Sequence, residues 1–191
     1  MSATLEARLE AILRASPSMM QVLLGARDLD LPDWLIFSGA VYQRVLNHLT
    51  GRDADYGIKD YDLGYFDASD TSYEAEDVVI RRAAAAFDPP FDTLVEVRNQ
   101  ARVHLWFEGK FGEPYAPLTS SGAALERFVS ATFAVGVRLE RDDTMNIVAP
   151  FGLEDLFALR MRPNPTRTTT NFARTAAGLK ARWPELIVQE D

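Results

Sequence analysis

At 191 residues, with 47% hydrophobic and 25% charged content, the chain has ordinary globular usage and ample length for a real core. The absence of cysteine excludes disulfides, thiolate metal sites and cysteine nucleophiles. A net charge of −8 argues against a broad nucleic-acid surface, which needs Lys and Arg to neutralise phosphates, and no apolar run nears the roughly 20 residues of a membrane span.

Met1 to Ala15 is charged and amphipathic and lacks the apolar core of a secretory signal, so a cytoplasmic location is expected. One domain over 1–191 is expected, with a helical N-terminal segment over 1–30 and a helical C-terminal segment over 151–191. Thr4 to Ala15 reads as an amphipathic helix, with Leu5, Leu9, Ile12 and Leu13 on one face. Ser16-Pro17 reads as an N-cap followed by Pro at N1, opening a helix through about Ala26. Trp34 to Phe37 is a short apolar run, as in a strand buried on both faces. Ser38-Gly39-Ala40 is a turn, and Val41, Val45, Leu46 and Leu49 then recur at helical spacing. Asp60 to Phe66 reads as a strand. Thr71 or Ser72 caps a helix to about Phe87, which Pro89-Pro90 ends. Thr93 to Arg98 alternates like a strand, with Leu94, Glu96 and Arg98 on one face, and Val103 to Phe107 reads as another. Ser121 caps a helix to about Ser130. Phe133 to Leu139 and Met145 to Val148 pair across Arg141-Asp142-Asp143. Phe151 to Met161 and Asn171 to Arg182 read as helices. Helices and strands interleave irregularly, so the expected fold is α+β with a mixed sheet flanked by helices.

Asp60-Tyr61-Asp62 is the feature that carries chemistry. Residues two apart on a strand share a face, so Asp60 and Asp62 are expected side by side, with Tyr61 and Leu63 turned away. Two carboxylates that close repel unless a cation sits between them. Hard oxygen donors of this kind suit Mg²⁺, commonly held by one or two carboxylates plus substrate phosphates. The glycine turn and the helix that follows it form a candidate phosphate seat. Trp34, Trp106 and Trp183 read as core residues.

The order Gly39-Ala40-Val41, helix, Asn47-His48-Leu49-Thr50-Gly51, loop, Ile58-Lys59-Asp60-Tyr61-Asp62 resembles the nucleotidyltransferase superfamily of the DNA polymerase β type. It is similar to the head of tRNA nucleotidyltransferases. With Tyr65-Phe66-Asp67, Val97 to Trp106 and Thr132 to Arg138, the chain more closely resembles a bacterial nucleotidyltransferase-like family, over about residues 20 to 184. The superfamily turn is usually Gly-Gly or Gly-Ser, whereas here it is Ser38-Gly39.

The resemblance implies a Mg²⁺-dependent (or Mn²⁺-dependent) enzyme that moves a nucleoside monophosphate from an NTP to an acceptor. The acceptor class is left open among a small molecule, a tRNA end and a protein hydroxyl. Asp60 and Asp62 are the implied metal ligands and catalytic acids, and Glu96 is the candidate for the third acid the superfamily usually adds. Ser38, Gly39, Arg44, Lys59, Asn99 and Arg102 are candidate nucleotide contacts. A catalytically inactive nucleotide-binding or regulatory module of the same fold is the alternative. A metal-dependent phosphohydrolase is disfavoured by the two histidines, His48 and His104. The two N-terminal helices either cover the sheet or form a dimer contact.

Overall fold

The computed structural model describes residues 3–167 and 171–189, so parts of the 1–191 expectation lie outside the described residues. Two helices lead, α1 (Leu5–Arg14) and α2 (Pro17–Asp28). Thr4 caps the first through Ala7 N–H, and Ser16 caps the second through Met19 N–H with Pro17 at its start. Their apolar faces (Leu9, Leu13, Met19, Val22, Leu23) are fully buried in the main core, so both helices cover the sheet. A sheet follows, with strands β1 (Leu35–Phe37), β2 (Tyr61–Tyr65), β3 (Val95–Asn99), β4 (Gly136–Leu139) and β5 (Met145–Val148). Their spatial order is β3-β2-β1-β4-β5, and all pairs are antiparallel except the parallel β2–β3. This is the expected α+β arrangement with a mixed sheet flanked by helices.

Register explains what each face carries. Val97, Leu63, Ile36, Val137 and Ile147 lie opposite one another across the five strands and pack into the helical layer. The neighbouring row is Glu96, Asp62, Phe37, Gly136 and Val148, and it looks the other way. Cross-strand partners share a face, so Asp62 and Glu96 stand together on it. Leu35 and Phe37 form a second, smaller core there with Leu125 and Ala134. The apolar run before Ser38 is therefore buried on both faces, as expected.

Helix α3 (Gly39–Leu49) joins β1 to β2, and α4 (Tyr73–Ala86), capped by Ser72, joins β2 to β3 with the short α5 (Phe91–Leu94). Several expectations are corrected. Thr93 and Leu94 belong to α5, and the strand begins at Val95. Val103 to Phe107 is no strand: a 3-10 turn spans Gln100–Leu105 and α6 spans Phe107–Phe111. The helix expected from Ser121 is α7 (Ser121–Leu125), capped by Ser120, and Phe133 ends a 3-10 turn before β4. The stretch from Phe151 to Met161 holds only α8 (Glu154–Phe157). Leu159 takes a positive φ of 54°, and β6 (Arg160–Met161) follows. Beyond α9 (Phe172–Lys180), β7 (Ile187–Val188) pairs with β6 in parallel, so the C-terminal segment is mixed rather than helical.

Among the described residues, no helix is long and apolar enough to cross a membrane.

Candidate active site

The site grows from the junction of β1, α3 and β2. Gly39 opens α3, an eleven-residue helix with no acidic residue in its first turn. The helix begins with Val41 and Tyr42 N–H donating to Ser38 O at 3.0 and 3.2 Å. A Cβ on Gly39 would meet Gln43 Nε2 at 2.7 Å, so a larger residue there would push the Gln43 amide aside. Ser38 sits at φ 65°, ψ −144°, a region that favours glycine. Its hydroxyl does not cap α3; it hydrogen-bonds the Asp62 carboxylate instead.

Asp62 is half-buried between its register neighbours Phe37 and Glu96. Burial pushes its carboxyl up to about 6; the Asp60 and Glu96 carboxylates add to the lift, while Ser38 and Arg98 hold it back. Three acids thus feel one another's field. Arg98 reaches Glu96 only at 3.9 Å, and both side chains are about half exposed.

Asp60 immediately precedes the strand that carries Asp62, and its charge reaches the Asp62 carboxyl. Asp60 lines a polar hollow of about 250 Å³ with Gly39, Gln43, Lys59 and Arg182. Asp62 and Glu96 line a different cavity of about 220 Å³. Asp60 and Asp62 thus line two neighbouring hollows at the start of β2. Among the described residues, no group of three Asp, Glu or His side chains stands close enough to hold one ion.

Three expected nucleotide contacts are engaged elsewhere. Arg44 is 1% exposed. Its guanidinium bonds Asp55 (2.7 Å), Ser16, Ser18, the Tyr61 hydroxyl (2.9 Å) and Ala40 O. Asn99 is buried, accepting from Asp67 and Ala101 N–H and donating to Asp67 O. Arg102 is ion-paired to the buried Glu76, whose other oxygen accepts Asn99 N–H. These polar groups are held by internal hydrogen bonds, as buried polar groups must be: Arg44 ties α3 to α2, the loop at Asp55 and β2, while Asn99 and Arg102 support β3 and α4.

Four features escaped the sequence reading. Arg182, from the segment after α9, reaches the polar hollow; it bonds Gly57 O at 3.2 Å and stacks on Trp183. Gln43 lines the same hollow, and its Oε1 is buried without a partner. Trp106 is not a core residue like Trp34 and Trp183: it is half-buried at the second cavity beside Phe107 and Tyr115. Arg127 adds positive charge to that cavity, where Arg167 is ion-paired to Glu113. The aromatic spacing Trp106-Phe107…Phe111…Tyr115 was the available signal, masked by the strand-like reading of Val103 to Phe107.

A protein-family profile described as nucleotidyltransferase matches residues 25–188. A protein whose NMR structure reveals a CCA-adding enzyme head domain is 27% identical to this chain. The alignment covers 96% of this chain and 94% of the other, with a TM-score of 0.75. No curated protein sequence matches the chain. A glycine turn, a helix and a carboxylate strand, set in a mixed sheet and matched over most of the length, place this chain in the nucleotidyltransferase family.

Proposed function

We propose that the chain is a Mg²⁺-dependent nucleotidyltransferase that moves a nucleoside monophosphate from an NTP to an acceptor. The observation that carries this reading is the Asp62 carboxyl, lifted to about 6 by burial and the Asp60 and Glu96 carboxylates beside it. Such a lift is relieved by a cation. The donor set is all hard oxygen, which fits Mg²⁺ or Mn²⁺. With no three acids converging, the fit is to one or two carboxylates completed by substrate phosphates, so Asp60 and Asp62 would hold the ion and Glu96 would support it. A divalent ion bound there supplies charge neutralisation to the reacting phosphate.

The chain's own groups do the positioning. Gly39 lets phosphate oxygens approach the head of α3, where backbone N–H groups and the helix dipole favour an anion. Lys59 and Arg182 bring two positive charges to the same hollow. Ser38, through its bond to Asp62, fixes the orientation of that carboxylate. Phosphoryl-type transfer needs such positioning and electrostatic stabilisation more than covalent chemistry.

Calorimetric titration of the four NTPs, with and without Mg²⁺, into wild type and an Asp60→Asn/Asp62→Asn variant tests this. Metal-dependent binding that disappears in the variant is expected, followed by pyrophosphate release once an acceptor is supplied. Metal-independent binding, or binding untouched in the variant, rejects it. The half-exposed Glu96 held by Arg98 and the reversed Ser38-Gly39 turn favour the second reading, a nucleotide-binding module without turnover. That reading requires binding with no pyrophosphate released for any acceptor.

A further inference from the structure

We infer that the aromatic cavity beside Asp62 is the acceptor site, and that it takes a single nucleotide unit: a flat ring, a free hydroxyl and a phosphate. The inference rests on the proposed transfer and names its other substrate. Its starting point is the separation of the two hollows. The polar one holds Gly39, Lys59, Asp60 and Arg182 and carries no aromatic ring. The other, at Asp62 and Glu96, is walled by Trp106, Phe107 and Tyr115. In nucleotidyl transfer the acceptor oxygen bonds to the α-phosphorus and the bond from that phosphorus to its bridging oxygen breaks. Pyrophosphate leaves with the electron pair, and the hydroxyl proton goes to water. The attacking and departing oxygens lie roughly in line. With pyrophosphate departing toward Gly39, Lys59 and Arg182, the attacking hydroxyl comes from the Asp62 side, where the aromatic cavity opens.

The lining then sets the chemical class. Phe107 and Tyr115 meet at a tilt of 37° with ring centroids 4.4 Å apart, and Trp106 lies 6.1 Å from Phe107. All three rings are half-buried and keep some exposed surface, with Arg167 set 5.3 Å over Phe107 and Lys110 5.5 Å over Trp106. Sequence-tolerant base binding uses such faces, since every base has a π-face. A volume of about 220 Å³ admits one ring system with its sugar and not a duplex. Arg98, Arg127 and Arg167 line it together with Asp62 and Glu96, and Arg167 is ion-paired to Glu113. Arg127 is half-buried and has no ion-pair partner among the described residues, whereas Arg98 donates to Val97 O at 2.7 Å and lies 3.9 Å from Glu96. An uncompensated guanidinium at a cavity wall is suited to a phosphate. Gln100, buried on the same wall, presents an amide able to bond a base edge.

The test titrates AMP, CMP, GMP and UMP, alongside ribose 5-phosphate, into the full chain without metal, read by tryptophan fluorescence. Trp34 and Trp183 are buried, so quenching reports Trp106. Expected is quenching by at least one nucleoside monophosphate, about tenfold tighter than ribose 5-phosphate. Phe107→Ala should weaken it at least fivefold, roughly the least that loss of a base–aromatic stack costs. Arg127→Gln, which leaves the ring cluster intact, should weaken it as well. Binding of a Mg²⁺–NTP analogue with a non-cleavable α,β bridge should be unchanged in both variants and compatible with bound monophosphate. Competition between the two ligands overturns the inference, because the ring site then belongs to the donor. Ribose 5-phosphate binding as well as the monophosphates, or no monophosphate binding, overturns it too. The analogue's own dependence on Mg²⁺ and Asp60 is read separately, so a failure of the proposed transferase reading is distinguishable.

Discussion

Asp62→Asn should make the protein more stable at neutral and alkaline pH. In the unfolded chain this carboxyl titrates near 3.8, and in the folded protein near 6. Between those values the folded state keeps a proton that the unfolded state has lost. Stability therefore falls as pH rises through that window and levels off above it. At about 1.4 kcal/mol per tenfold change in proton affinity, the lift corresponds to about 3 kcal/mol above pH 6. Residual solvent screening at this half-buried side chain brings it nearer 2. Asparagine keeps the shape and carries no charge, so the variant gains that amount at pH 8 and almost nothing at pH 4. Urea unfolding of both proteins across pH 4 to 8 measures the difference directly. Millimolar Mg²⁺ at pH 8 should stabilise wild type and not the variant, narrowing the gap. A gap of equal size at pH 4 and pH 8, or a variant less stable at pH 8, would refute the reasoning.

Other outcomes follow from particular contacts. Ser38→Gly releases a positive φ worth about 1–3 kcal/mol and Ser38→Ala keeps it, so the glycine variant should melt higher than the alanine variant although both lose the bond to Asp62. Asp55→Ala removes the carboxylate from the buried Arg44 guanidinium and should cost about 3 kcal/mol; chemical denaturation reads this, with NTP affinity at low temperature unchanged. Gly64→Ala would set a Cβ 2.4 Å from the Phe37 ring, so thermal unfolding should show a loss of about 1–3 kcal/mol from overpacking.

The legible parts of this chain are those where local chemistry and global fold agree. Ser16 and Ser72 cap the helices they were expected to cap, because a side-chain oxygen bonding N–H three residues on is a local event. The Asp62–Glu96 face was readable from alternation on each strand, and only the register that makes them neighbours was not. Arg44 misled because its partners, Asp55 and Tyr61, arrive from a loop and a strand that the sequence does not join to α3. The run from Val103 to Phe107 is too short for periodicity to separate strand from helix. Parallel pairing of two-residue strands β6 and β7 leaves no pattern at all. Asp60 lies just outside the strand, so alternation alone did not reveal that it and Asp62 line two neighbouring hollows.

Arg182 is contributed to the polar hollow from far along the chain: it bonds Gly57 O, and Trp183 Nε1 donates to Asn47 Oδ1 at 2.9 Å. During synthesis the ribosome delivers Gly39, Lys59 and Asp60 long before that arginine. A nascent chain paused anywhere in between carries the acids and the turn with only part of its counter-charge. The polar hollow therefore gains its full counter-charge only late in translation, when the residues after α9 dock.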